Sequence, residues 1–144
     1  MTIDEVLEIH RDQIARYGGS GGVLNRGNLE SAVAQPQASF GGRFLHGDLF
    51  EVAAVYMYHL AQNHAFVDGN KRVAAVSAIV FLALNGRDLD APDDELENLV
   101  LSVARGETRK EEIANFLRRY CVSTDARSAV RSRVRRRRYN SRPC

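Results

Sequence analysis

Within the stretch His64-Ala65-Phe66-Val67-Asp68-Gly69-Asn70-Lys71-Arg72, a base and a carboxylate stand four residues apart and two cations follow. An imidazole, with an ordinary pKa near 6.5, can take a proton from a hydroxyl at neutral pH. Gly69 permits the positive φ that turns successive amide N–H groups inward as an anion-binding nest. Lys71 and Arg72 add full charges, and a guanidinium can grip a phosphate through two parallel hydrogen bonds. Asn70 supplies a neutral donor or a local cap. A polyphosphate suits this set. Asp68, a carboxylate among anion-binding groups, makes sense as a ligand of Mg²⁺, which bridges phosphate oxygens and neutralises developing charge. Phe66 is expected to bury inward and anchor the loop. The chemistry implied is phosphoryl or nucleotidyl transfer to a hydroxyl, with His64, Asp68 and Arg72 as catalytic candidates and Gly69, Asn70, Lys71 and Arg72 as the phosphate cradle.

Each element alone has a plainer reading: a structural histidine at a helix end, an Asp-Gly-Asn turn, a solvated Lys-Arg pair. The conjunction is harder to dismiss, because all the plain readings must then coincide within nine residues between two apolar segments.

Those segments must be helices. The run Val73 to Leu84 that follows the motif is a buried element, and a helix over about 70–85, stopped by Asn85-Gly86, adds its positive N-terminal dipole and unpaired amides to the anion site. The preceding helix, about 49–63, opens at Asp48 and is apolar on most faces, so it packs centrally. Thr2 and Glu5 have the spacing of a capping box, and Ile3, Val6, Ile9, Ile14 and Tyr17 then recur at helical spacing until Gly18-Gly19. Asn28 is a candidate cap for a short helix from Leu29 to Gln35, ended by Pro36. Gln37 to Gly47 reads as irregular or hairpin-like. Pro92 suits a first helical turn ahead of Leu96, Leu99, Val100 and Val103, and Thr108 with Glu111 repeats the capping-box form before Ile113, Phe116, Leu117 and Tyr120. The expected fold is all-α, a compact bundle of about six helices around a central helix–loop–helix that carries the motif.

At 144 residues the chain suits one domain with an adequate core. The longest apolar run, 12 residues, is too short to span a bilayer. No signal pattern opens the chain, and Cys121 and Cys144 lack partners at metal-ligand spacing, so no membrane and a cytoplasmic location are expected. The net charge of +2 hides a division: residues 127–144 hold eight Arg and no acid, while 1–126 hold 12 cations against 18 acids, a net of −6. The expected organisation is a catalytic domain over 1–122 and a disordered Arg-rich tail over 123–144, able to contact RNA, the ribosome or the acidic body of the chain.

The nine-residue motif resembles the signature of the Fic/Doc superfamily, His-Pro-Phe-x-(Asp/Glu)-Gly-Asn-Gly-Arg, and more closely that of the Doc (death-on-curing) branch, which ends in Asn-Lys-Arg. Gly27 to Ala32, Gln35 to Gly42 and Phe81 to Gly86 are similar to that branch as well, so the resemblance spans roughly 3–120. It implies His64 as general base, Asp68 as Mg²⁺ ligand and Gly69 to Arg72 as the cradle. Ala65 stands where Pro is usual. Lys71 stands where the common motif has its second Gly, and there it crowds the nest that otherwise takes the nucleotide's inner phosphates. The branch implies a toxin of a type II toxin–antitoxin system that uses ATP and Mg²⁺ to phosphorylate a protein hydroxyl. A translation elongation factor is the expected target class and a separate antitoxin the expected inhibitor. The alternatives are a Fic-type AMP transferase and a non-catalytic nucleic-acid or ribosome-binding module acting through the tail. Ser39 to Gly47 is a candidate for the hairpin flap that pairs with target backbone in Fic-type proteins. The nearest match to their inhibitory helix, Thr108 to Ile113, ends in Ile113 and gives no built-in brake.

Overall fold

A computed structural model describes residues 1–40 and 49–123. Most of the flap candidate Ser39 to Gly47 and the Arg-rich tail beyond Ser123 lie outside the described residues.

Among the described residues six helices follow in order: α1 (Ile3–Tyr17), α2 (Arg26–Phe40), α3 (Leu49–Gln62), α4 (Asn70–Leu84), α5 (Asp93–Ala104) and α6 (Lys110–Tyr120). The helical expectation holds, with one addition. Two three-residue strands, β1 (Arg87–Leu89) and β2 (Cys121–Ser123), pair antiparallel with Asp88 opposite Val122, so the exit of α6 is tied to the exit of α4.

The core is built on α3 and α4. Val52, Ala53, Ala54, Tyr56, Met57 and Leu60 of α3 meet Val73, Ala74, Ala78 and Leu82 of α4, all of them 2% exposed or less. Alanines at the seam let the two backbones approach closely, while α6, α2 and α5 pack against α3, and α1 packs against α4. Each large apolar side chain buried this fully contributes about 1.5–3 kcal/mol. The helix–loop–helix is therefore the most firmly held part of the molecule, and the loop within it inherits that rigidity.

Thr2 and Glu5 form the expected capping box, with Thr2 Oγ1 accepting from the Glu5 amide at 3.2 Å and Glu5 Oε1 accepting from the Thr2 amide at 2.7 Å. Three local expectations are corrected. The second helix does not stop at Pro36 but runs through it to Phe40, so Gln37 to Phe40 are helical rather than irregular. Leu29, Ala32 and Pro36 form one buried stripe at helical spacing, and that packing outweighs the single hydrogen bond a proline removes. Asn25, not Asn28, caps this helix, its Oδ1 accepting from the Asn28 amide at 2.9 Å. The last helix starts one residue late: Glu112 Oε1 accepts from the Arg109 amide at 2.9 Å, while the Thr108 hydroxyl bonds with Ser102 Oγ and is not spent on a cap.

His59, half-buried on α3, has its Nε2 buried without a partner. Burial, with Lys110 nearby, pushes its pKa down from 6.5 to about 4. Between those values the unfolded chain binds the extra proton and the folded chain does not, so stability falls as pH drops from 6.5 toward 4. Discounted for its partial exposure, the loss between pH 7 and pH 5 is on the order of 1 kcal/mol. Urea denaturation at both pH values checks this, and His59→Phe should flatten the dependence.

Candidate active site

The motif loop is held from both ends. At its entrance, Asn28 Nδ2 donates to the Asn63 carbonyl at 2.9 Å and Asn63 Nδ2 donates back to the Asn28 carbonyl at 3.1 Å, fixing the residue before His64. At its exit, Asn70 closes the loop on itself. Its Oδ1 accepts from the Phe66 amide and its Nδ2 donates to the Phe66 carbonyl, both at 3.0 Å. Phe66 is 1% exposed, as an anchor should be. A strand-like contact between Val23 and Phe66, with the Leu24 amide 2.8 Å from the Ala65 carbonyl and the Val67 amide 3.2 Å from the Gly22 carbonyl, ties the α1–α2 loop to the motif loop.

His64 is exposed and takes φ of 50°, a left-handed conformation and the only positive φ among the described non-glycine residues. The last turn of α3 closes with the Asn63 amide on the His59 carbonyl at 2.9 Å, so His64 occupies the position after the cap where glycine is usual. A β-carbon there costs on the order of 1 kcal/mol. In return, the imidazole leaves the helix line and stands in solvent at the mouth of the loop.

Asp68 is exposed as well. Its Oδ1 accepts from the Gly69 amide at 2.8 Å and its Oδ2 from the Ser20 amide at 3.3 Å. These two bonds, with Arg72 adding its charge, hold the carboxyl below the usual carboxylate range, so it is ionised at neutral pH. Such a group fits a divalent cation of the magnesium type, which takes one or two carboxylates and completes its shell with water and phosphate oxygens. Among the described residues no three His, Cys, Asp or Glu side chains converge, so Asp68 would be the protein's carboxylate ligand there.

The start of α4 completes the site. Gly69 is its N-cap at φ 83°, no side chain caps the helix, and its first turn holds no acid, whereas α1, α5 and α6 all place acids in their first turns. The first-turn amides and the helix dipole are thus left to an external anion. Lys71 is exposed beside them, and Arg72 is 7% exposed. Arg72 Nη1 donates to the carbonyls of Gly18 at 3.1 Å and Gln13 at 3.3 Å, and its Nε is buried without a partner.

The sequence candidates thus come together, but with different duties. His64, Asp68 and Lys71 face solvent, Gly69 shapes the helix start, Asn70 clasps the loop, and Arg72 braces it against α1. Sequence reasoning missed the contribution of α1 and its following loop. His10 stacks on Phe66 and its Nε2 lies 2.9 Å from the Asp68 carbonyl oxygen. Gly19, at φ 112°, lies so near the site that a β-carbon would come 2.6 Å from Asp68 Oδ2 and 3.2 Å from Arg72 Nη2. Gly19→Ala should therefore cost about 1–3 kcal/mol of stability and push the loop off Asp68, lowering activity. Chemical denaturation and a transfer assay on the same protein check both effects. Two cues were available: a histidine and a glutamine on the apolar face of α1, and four glycines among residues 18–22.

The central helix–loop–helix of this helical domain thus sets an exposed imidazole and an ionised carboxylate beside a helix start that no side chain caps. The Fic/DOC family profile matches residues 1–82, and the chain belongs to that family. It is 38% identical over 123 residues to "Protein kinase doc" of Escherichia phage P1, covering 85% of this chain and 95% of that protein. It is 41% identical over 100 residues to "Toxin Doc" of Mycolicibacterium smegmatis, covering 68% of this chain and 77% of that protein. Among the described residues no helix is long and apolar enough to cross a membrane.

Proposed function

We propose that the protein is a Doc-type toxin, a phosphotransferase that moves the γ-phosphate of ATP onto a hydroxyl of a protein target. The observation that carries this reading is the pairing of the exposed, left-handed His64 with the ionised Asp68 at the uncapped start of α4. Names of relatives that include a kinase and a toxin support it. His64 accepts the proton of the target hydroxyl as that oxygen bonds to phosphorus, and the bond to the ADP oxygen breaks. The first-turn amides of α4, presented by the turn at Gly69, receive the phosphate oxygens together with Lys71. Arg72 and Asn70 keep those amides in place by bracing the loop. When bound at Asp68, Mg²⁺ supplies charge neutralisation between the phosphates.

The target class is a translation elongation factor, the consequence is growth arrest in the cytoplasm, and a cognate antitoxin silences it. Residues 1–122 carry the reaction. The Arg-rich segment from 123 onward is an accessory able to touch RNA or the ribosome. AMP transfer is disfavoured by Lys71, whose long cation should crowd the nest that would otherwise take the inner phosphates. Induced expression in bacteria tests the reading: the wild type should arrest growth and His64→Ala should not. Arrest by both would point to binding through the tail, and arrest by neither would remove the toxin reading.

A further inference from the structure

His10 is a buried imidazole, 4% exposed, contributed by α1 from 58 residues before the motif's aspartate. An apolar side chain would fill such a place at less cost, because a buried polar ring must find partners. Its Nε2 lies 2.9 Å from the Asp68 carbonyl oxygen, and since a carbonyl only accepts, Nε2 carries the hydrogen and donates it. The face of the ring lies on Phe66, with centroids 3.9 Å apart and planes 9° from parallel. One side chain therefore holds the motif loop at two points, on either side of Val67. The Asn70 clasp fixes the loop at Phe66 alone and leaves Asp68 to be fixed by something else.

We propose that His10 is a positioning residue: its Nε2–H and its ring face hold Asp68 where the carboxylate engages the nucleotide-bound divalent cation. The inference rests on the phosphotransfer reading for its ligand, Mg–ATP, and on the contacts of His10 for its geometry. Residues that orient a metal ligand from behind typically change metal affinity or activity by about 10–100-fold when replaced.

The test uses the full chain and two replacements that separate the contacts. His10→Phe keeps the ring on Phe66 and removes the donor, while His10→Gln places an N–H near the Nε2 position and removes the ring. His10→Phe replaces the donor with a C–H at the Asp68 carbonyl, and its Tm beside that of His10→Gln reports whether the fold persists. Three quantities are read: Tm, ATP affinity by calorimetry with Mg²⁺ and with chelator, and the rate of phosphate transfer. His10→Phe should bind Mg–ATP about ten-fold more weakly with its chelator affinity and Tm unchanged, and its transfer rate should fall in step. His10→Gln should recover part of the Mg²⁺-dependent affinity. Wild-type Mg²⁺ dependence in His10→Phe overturns the proposal, as do losses in both variants that simply follow Tm. If the wild type binds Mg–ATP and His10→Phe shows the defect, yet no phosphate is ever transferred, the phosphotransfer reading fails and the positioning role stands. A wild type that binds no Mg–ATP ends both.

Discussion

His64→Ala should abolish transfer while the fold stays intact, with loss of a positioned general base expected to cost about 10²–10⁴ in rate. The side chain is exposed and closes no part of the core, so its removal opens no cavity. Glycine at the same position gives a sharper version of the experiment. Because residue 64 holds φ of 50°, His64→Gly relieves the left-handed strain and should raise stability by about 0.5–1 kcal/mol while eliminating activity. A protein made more stable and inactive by one exposed substitution would mark His64 as kept for chemistry. Single-turnover transfer beside urea denaturation measures both quantities. Wild-type turnover by either variant would sink the assigned role.

Asp68→Asn is the second large effect. The side-chain amide keeps one acceptor, enough for the Gly69 amide at 2.8 Å, but gives up the 3.3 Å bond from the Ser20 amide, and the negative charge is gone. Losing the carboxylate proposed to hold a divalent cation should remove several kcal/mol of charge stabilisation, on the order of 10³-fold in rate. ATP affinity should lose its dependence on Mg²⁺ and keep what remains in chelator. Unchanged affinity at limiting Mg²⁺ would contradict metal ligation by Asp68.

The readable part of the site was the part that is contiguous in sequence. His64, Phe66, Asp68, Gly69 and Lys71 lie in one short segment between two apolar helices, so their types and spacing already state a chemistry. The helices α3 and α4 were legible for the same reason, since long apolar patterns outweigh local detail. What was not legible comes through tertiary contact. The spacing of Ile3, Val6, Ile9 and Ile14 describes an ordinary amphipathic helix, yet α1 buries Val6, His10 and Gln13: the His10 ring reaches Phe66 and the Asp68 carbonyl, and the Gln13 carbonyl accepts from Arg72. Gly19 reads as one of several loop glycines until its distance to Asp68 and Arg72 is known. Arg72 reads as a phosphate grip, but two backbone carbonyls hold one of its nitrogens and make it a brace as well. Pro36 and Thr108 misled for a related reason. A proline's local cost yields to the buried stripe it completes, and a hydroxyl suited to capping is taken by Ser102.

Transfer of a γ-phosphate by this loop, with His64 as base, can be read directly from labelled ATP. The most direct measurement gives the purified protein, Mg²⁺ and a bacterial cytosolic extract ATP labelled at either its α- or its γ-phosphate, with His64→Ala in parallel. One protein band should be labelled from γ-labelled ATP alone, and none with His64→Ala. Labelling from α-labelled ATP would show AMP transfer instead, and equal γ-labelling by wild type and His64→Ala would contradict the role given to the motif.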